Sequence, residues 1–203
     1  MKTDNKWTIT PDLFLTASQV QNLFIALKDA KDLAVHRQKH FVHVRDFFIL
    51  HTLLESGLRV SELADLKVGD FCEKSLIVRN GKGNKRRTVL LTKTAKCMLQ
   101  DFIKAKKKIL KEPIDPDSYL FLSERRKPYT TRGIRKRVKY WFGKCGLADH
   151  LSCHSCRHSY ISHMIGAGVD LQTIRANVGH ASLSTLSLYA HATKGELEIE
   201  IYE

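Results

Sequence analysis

The chain has 203 residues, 43% hydrophobic and 27% charged, which suits one globular domain able to bury a core. No long apolar run offers a membrane span and the polar start MKTDNKW has no secretory apolar stretch, so the expected compartment is the cytoplasm. A net charge of +13, clustered over 82–87, 104–111 and 125–139, favours a polyanion, nucleic acid before a membrane surface, since no basic helix carries Trp or Phe on its apolar side. The five scattered cysteines (Cys72, Cys97, Cys145, Cys153, Cys156) argue for reduced thiols rather than a disulfide framework.

Residues 1–15 read as a short polar lead. Thr16 and Gln19 form a capping-box pattern that predicts a helix with Val20, Phe24 and Leu27 on its apolar face. A longer helix is expected over 36–56, closed by Gly57, with Arg59 just past the break and Ser61 capping a short helix over 62–66. The four histidines of the longer helix (His36, His40, His43, His51) have no carboxylate or cysteine joining them, and no metal is expected. Short strands are expected over 68–71, 75–79 and 86–91, the last two joined by a hairpin turn at Asn80-Gly81-Lys82-Gly83-Asn84.

Thr94 should open a helix to about 110, with Leu99, Phe102, Ile103 and Leu110 inward and the lysines outward. Glu112-Pro113-Ile114-Asp115-Pro116 reads as a loop and the best internal hinge. A buried extended segment follows over 119–122. Thr130 or Thr131 then begins a very basic helix. Arg132, Arg135, Lys136 and Arg137 suit a phosphate-tracking face, as do Lys85, Arg86 and Arg87 of the hairpin.

The most informative stretch is 153–191, CHSCRHSYISHMIGAGVDLQTIRANVGHASLSTLSLYAH. His154 and Arg157 are three apart at the start of a helical pattern and leave one face. Asp170 caps a short helix closed by Gly179, His180 follows, and Tyr189 lies in a further short helix opened by Ser184. A guanidinium, two imidazoles and a phenol are what phosphodiester transfer to a tyrosyl ester requires. Cys153 and Cys156 make only one metal knuckle, and Cys156 reads as packing; Tyr160, beside Ile161, Met164 and Ile165, reads as core.

His154-x-x-Arg157-His158, then Gly179-His180, then Tyr189 resembles the tyrosine recombinase (phage integrase) family, closest to its Xer-like branch. Upstream, Gly57-Leu58-Arg59-Val60-Ser61-Glu62-Leu63 is similar to the segment bearing that family's first arginine, and Gly81-Lys82-Gly83-Asn84-Lys85 to its catalytic-lysine hairpin. The resemblance implies a mainly α fold with a small antiparallel β-sheet, the DNA breaking-rejoining catalytic domain, over 16–192, with an acidic tail over 193–203 that looks strand-like. It implies site-specific strand exchange on double-stranded DNA without cofactor or metal, through a 3′-phosphotyrosyl intermediate. Tyr189 would be the nucleophile, and Arg59 and Arg157 the phosphate clamp. His180 would be a further phosphate donor, His154 would assist proton transfer, Lys82 would be the acid for the leaving oxygen, and Glu62 a support. Self-assembly into a tetramer on DNA synapses, an accessory DNA-bending protein and a nucleoid location follow from the same resemblance. Relatives usually carry an N-terminal clamp domain, so the chain reads as a fragment or a minimal recombinase. A DNA-binding regulator on the same fold and a type IB topoisomerase are the alternatives.

Overall fold

The computed structural model describes residues 10–81, 85–179, 182 and 184–189. The capping box closes as read: Gln19 N donates to Thr16 Oγ1 (3.2 Å) and Thr16 N to Gln19 Oε1 (3.0 Å), opening α1 (Ala17–His36). The chain then breaks. Gln38 and His40 adopt positive φ (50° and 57°), and α2 (Val42–Ser56) starts beyond them. The single helix expected over 36–56 is therefore the end of α1, a turn and α2.

Every residue of α2 over 44–54 is buried, as befits a helix apolar nearly all round. It is the hub against which α1, α4, α5 and α6 pack. Its buried polar residues are partnered across the core. Asp46 accepts two-point contact from Arg137 and a hydrogen bond from Trp141 Nε1 (2.8 Å), while Arg45 donates to Glu112 Oε1 (2.6 Å). Gly57 ends α2 in the left-handed conformation (φ 62°), and a Cβ there would lie 2.4 Å from Tyr160 Cδ1. Arg59, not Ser61, is the N-cap of α3 (Val60–Ala64), because Glu62 reaches back to accept from Arg59 N (2.8 Å).

The sheet has three antiparallel strands in the order β1 (Phe71–Cys72), β2 (Ser75–Val78), β3 (Arg87–Leu90), with Leu76 opposite Val89 and Val78 opposite Arg87. The strand expected over 68–71 is mostly a 3₁₀ turn, Val68–Asp70. Asp70 accepts from Lys67 N (2.8 Å) and Arg79 Nε (2.5 Å), and this local bond competes with an extended ladder.

Thr92 rather than Thr94 caps α4 (Lys93–Lys108); Lys106, expected outward, turns inward with no exposed surface and donates to Glu112 Oε2 (2.9 Å). Glu112 is thus anchored by two buried cations, and Pro116 O and Ser118 O accept from Gly69 N and Val68 N (2.9 Å each). The expected hinge is a pinned crossing. Residues 120–122 are buried as anticipated, and Thr130 caps α5 (Thr131–Lys144) through Gly133 N.

α6 (Cys153–Gly166), α7 (Leu171–Val178) and a helical segment over 184–189, where a short helix opened by Ser184 was expected, carry the remaining helical structure. Their apolar side chains form a second, smaller core of Tyr160, Ile161, Ile174, Val178, Leu186 and Tyr189, into which Phe14 inserts. The end of the N-terminal lead is accordingly structural: Phe14 and Leu15 are buried, Leu15 N donates to Ser159 Oγ (2.8 Å), and Leu15 O meets His163 Nε2 (3.0 Å). The acidic tail over 193–203 lies outside the described residues. Among the described residues no helix is long and apolar enough to cross a membrane.

Candidate active site

The site begins where two helices end. The last carbonyls of a helix lack intrahelical donors and carry the negative end of its dipole. Arg157, in the second turn of α6, fills that need for two helices at once. Its Nη1 donates to Gly57 O (2.6 Å) at the end of α2, and its Nη2 to Val178 O (2.6 Å) at the end of α7. Arg59, set in extended backbone before α3, sends Nη2 to Gly179 O (3.2 Å) and Nη1 to Glu62 Oε1 (2.8 Å). The two arginines proposed as a phosphate clamp therefore converge on the Gly179 turn, although they are almost a hundred residues apart.

A third guanidinium joins them. Arg87 of β3, expected on the DNA-facing hairpin, turns inward and grips Glu62 at two points (Nη1 to Oε1 2.6 Å, Nη2 to Oε2 2.8 Å), with Nε donating to Asn177 O (2.8 Å). That assignment is corrected by the reach of β3: its first residue lies under the end of α7, where a buried carboxylate and a free carbonyl await a cation. Gly179 is required here, with φ 66° and a Cβ position 2.9 Å from Arg87 Cδ. Arg59 and Arg87 share the Glu62 carboxylate while Arg157 rests on backbone carbonyls, so the three guanidiniums leave positive charge suited to an anion. The Glu62 carboxyl is held below its usual range: burial opposes this, but Arg87 and Arg59 outweigh it. Burial, with Arg59 beside it, lowers Arg157 to about 10, still a cation at neutral pH.

Tyr189 sits in the small core, 3% exposed, with its oxygen 2.5 Å from His158 Nδ1 and the two rings stacked at 27°. Burial raises the phenol to about 12, with Arg157 pulling the other way. Burial, His154 and Arg157 lower the imidazole of His158 to about 4. His158 was missed as a site residue. The signal was its place directly after Arg157, on the helical turn that carries the clamp. His154 stands exposed in the first turn of α6. Lys82 and His180 lie outside the described residues. Gly81 and Lys85, flanking the hairpin tip, are joined by Gly81 N to Lys85 O (3.1 Å).

Beside the clamp is a basic cleft of about 400 Å³ lined by Lys85, Arg86, Arg87, Gln172, Arg175 and Gly179. Lys85 and Arg86 are exposed as expected; Arg175 is an addition, exposed on α7 beside the buried Ile174 and Val178. On α5, Arg132, Arg135 and Lys136 face solvent, but Arg137 turns inward from the expected phosphate-tracking face to pair with the buried Asp46 (Nη2 to Oδ2 2.5 Å). Burial pushes the Cys153 thiol up to about 11 and Cys156 well above its usual value, which makes both inert packing groups. Among the described residues no group of His, Cys, Asp or Glu is placed to hold a metal.

A mainly helical domain with a three-stranded sheet, gathering arginines at a helix terminus beside a buried tyrosine, has the architecture of the tyrosine recombinase catalytic domain. The chain belongs to the phage integrase family, which it matches over residues 14–196. It is 31% identical over 188 residues to a tyrosine recombinase XerC of Lactobacillus delbrueckii subsp. bulgaricus, an alignment covering 92% of this chain and 61% of that protein. The chain thus spans about three-fifths of the length of that curated relative. The crystal structure of XerA recombinase superposes with a TM-score of 0.73 at 26% identity, covering 97% of this chain and 67% of that one. XerH recombinase bound to palindromic difH substrate, in a post-cleavage complex, shares the fold (TM-score 0.75, 22% identity, 99% and 55% coverage).

Proposed function

We propose that this chain performs site-specific DNA strand cleavage and rejoining through a 3′-phosphotyrosyl intermediate at Tyr189. The observation that carries the reading is the meeting of Arg59 and Arg157 at Gly179, next to the small core that holds Tyr189. Planar guanidinium forks match the non-bridging oxygens of a phosphodiester and strengthen as charge develops in the transition state. Tyr189 attacks phosphorus and the 5′-oxygen leaves; rejoining reverses the step, and because one ester replaces another no energy source is consumed. Lys82 is assigned the proton for the leaving oxygen, His180 a hydrogen bond to the phosphate, and His154 assistance in proton transfer. Lys85, Arg86, Arg132, Arg135 and Lys136 supply phosphate contacts along the duplex.

The substrate is double-stranded DNA, in keeping with the solved relative bound to its difH substrate. Tetramer assembly on a synapse, an accessory DNA-bending partner and a nucleoid location complete the proposal, with 16–192 as the catalytic unit and 1–15 and 193–203 as its flanks. The deciding experiment incubates the protein with nicked suicide half-sites from its genomic neighbourhood and looks for a protease-sensitive covalent adduct. Adduct in the parent chain and none in Tyr189→Phe, with DNA affinity retained, is expected. Adduct surviving in Tyr189→Phe, or moving to Tyr160, counts against the assignment. Rapid relaxation of supercoiled plasmid lacking the site favours a topoisomerase instead, and binding without cleavage of any substrate favours a regulator.

A further inference from the structure

We propose that His158 takes the phenolic proton from Tyr189 as its oxygen attacks the phosphodiester, an inference that rests on the strand-cleavage reading above. His158 Nδ1 lies 2.5 Å from Tyr189 Oη, within reach for direct transfer, and the stacked rings fix the approach. For the phenol to donate, the imidazole is the Nε2–H tautomer with Nδ1 as acceptor. His158 follows Arg157 on α6, so the helix that seats the clamp on Gly57 O and Val178 O also seats the base. His154 lies one turn earlier on the same helix, on its exposed side.

The step balances. The Tyr189 O–H bond breaks and its proton passes to Nδ1, the Oη–P bond forms, and the P–O5′ bond breaks. The departing 5′-oxygen takes its proton from a separate acid, Lys82 in the reading above. Rejoining runs each transfer backward, with His158 returning the proton to the phenol.

Among the described residues, the charged and titratable groups facing His158 are His154 and Arg157 from α6 and Tyr189 from the helical segment 184–189. Burial raises the phenol, and burial with His154 and Arg157 lowers the imidazole, so in the unliganded chain both shifts favour the proton on Tyr189. A phosphodiester seated on Arg59 and Arg157 offsets the repulsion that Arg157 exerts on an imidazolium. The pentavalent transition state carries more negative charge and offsets it further. Proton transfer is thereby tied to the presence of DNA in the site.

The test measures adduct formation on suicide half-sites by the parent chain, His158→Ala and His158→Asn, with DNA affinity measured separately. His158→Ala is expected to slow adduct formation by about 10²- to 10⁴-fold with affinity retained. Added imidazole should restore the rate, more strongly for the more basic substituted imidazoles. His158→Asn places an acceptor near Nδ1 that cannot take a proton, and it should stay slow. Both variants should remain slow on a substrate with sulfur at the 5′-bridging position, which relieves only the leaving group. Adduct formation by His158→Ala within about threefold of the parent, absence of imidazole rescue, or full activity in His158→Asn overturns the proposal. The asparagine variant decides the matter if the alanine variant does not fold. Absence of adduct from the parent chain itself counts against strand cleavage, and the proposal for His158 falls with it.

Discussion

Arg87 and Glu62 form a two-point ion pair, 2.6 and 2.8 Å, that ties the first residue of β3 to the first turn of α3 beneath the site. Arg59 shares both carboxylate oxygens with Arg87, through Nη1 on Oε1 and its backbone N on Oε2, and the pair brings Arg87 Nε to Asn177 O, just before the turn that receives both clamp arginines. Arg87 therefore acts as a brace between sheet and clamp.

Removing the brace strands a buried acid. Arg87→Ala should destabilise the fold by about 3 kcal/mol, because a buried carboxylate loses its principal partner. Arg87→Lys, a single donor in place of a fork, should recover only part of it. Urea denaturation measures both. The folded pKa of Glu62 is depressed, so its stabilisation is full above the unfolded value and lost as pH falls through the folded one. Glu62→Gln should accordingly flatten the loss of stability below about pH 4.5, near the usual carboxylate value.

The alkaline limb belongs to Tyr189. Its folded pKa is raised to about 12, so the neutral phenol stabilises the fold fully below the unfolded value near 10, and the contribution is lost as pH rises toward 12. Tyr189→Phe should retain more of its stability between those values than the parent does. Thermal melts across the alkaline range measure it, and an unchanged limb would mean the phenol is not buried in solution.

Gly179→Ala should fail twice over. The backbone there suits glycine alone, at a cost of order 1–3 kcal/mol for another residue, and the new methyl would lie 2.9 Å from Arg87 Cδ. Loss of stability should accompany loss of adduct formation, whereas Gly143→Ala, where an added Cβ meets nothing within 4 Å, should affect neither.

The basic face divides by partner. Arg132→Ala and Arg135→Ala should each lower the slope of log affinity against log salt by about 0.9 if each contacts one phosphate. Arg137→Ala should leave the slope alone and destabilise the fold, since Asp46 then loses its cation. Salt titration of duplex binding separates the two behaviours.

The buried triad gives an asymmetric pair of outcomes. Glu112→Gln leaves Arg45 and Lys106 facing each other without an anion and should cost about 3–5 kcal/mol. Lys106→Met leaves the Arg45–Glu112 pair intact, relieves a lysine whose pKa burial holds down, and should be close to neutral in chemical denaturation.

Features set by neighbouring residues were legible in the sequence: the Thr16–Gln19 box, Gly57 closing α2, Thr130 capping α5 and Asp170 capping α7. The ordered motifs also singled out Arg59 and Arg157, which meet at Gly179. Partnerships over long separations were not legible. Arg87 and Arg137 look like surface cations until Glu62 and Asp46, 25 and 91 residues away, are folded against them. Lys106 looked solvated because helical spacing takes no account of a carboxylate arriving from the loop that follows. The break at 37–41 was hidden because the apolar pattern on either side is in helical phase, and only backbone at Gln38 and His40 interrupts it.

Asn177 has a consequence beyond the site. Its side chain accepts from Leu90 N (2.9 Å) and donates to Leu90 O (3.3 Å), imitating the pairing that another strand would offer at the outer side of β3. An open strand edge recruits foreign chains and seeds aggregation. Here a helix residue occupies the recruiting groups at Leu90, so the sheet cannot be lengthened past β3 at that point by a stray peptide or a second copy. Asn177→Leu would reopen that edge, and its first symptom should be concentration-dependent turbidity rather than a lower melting temperature.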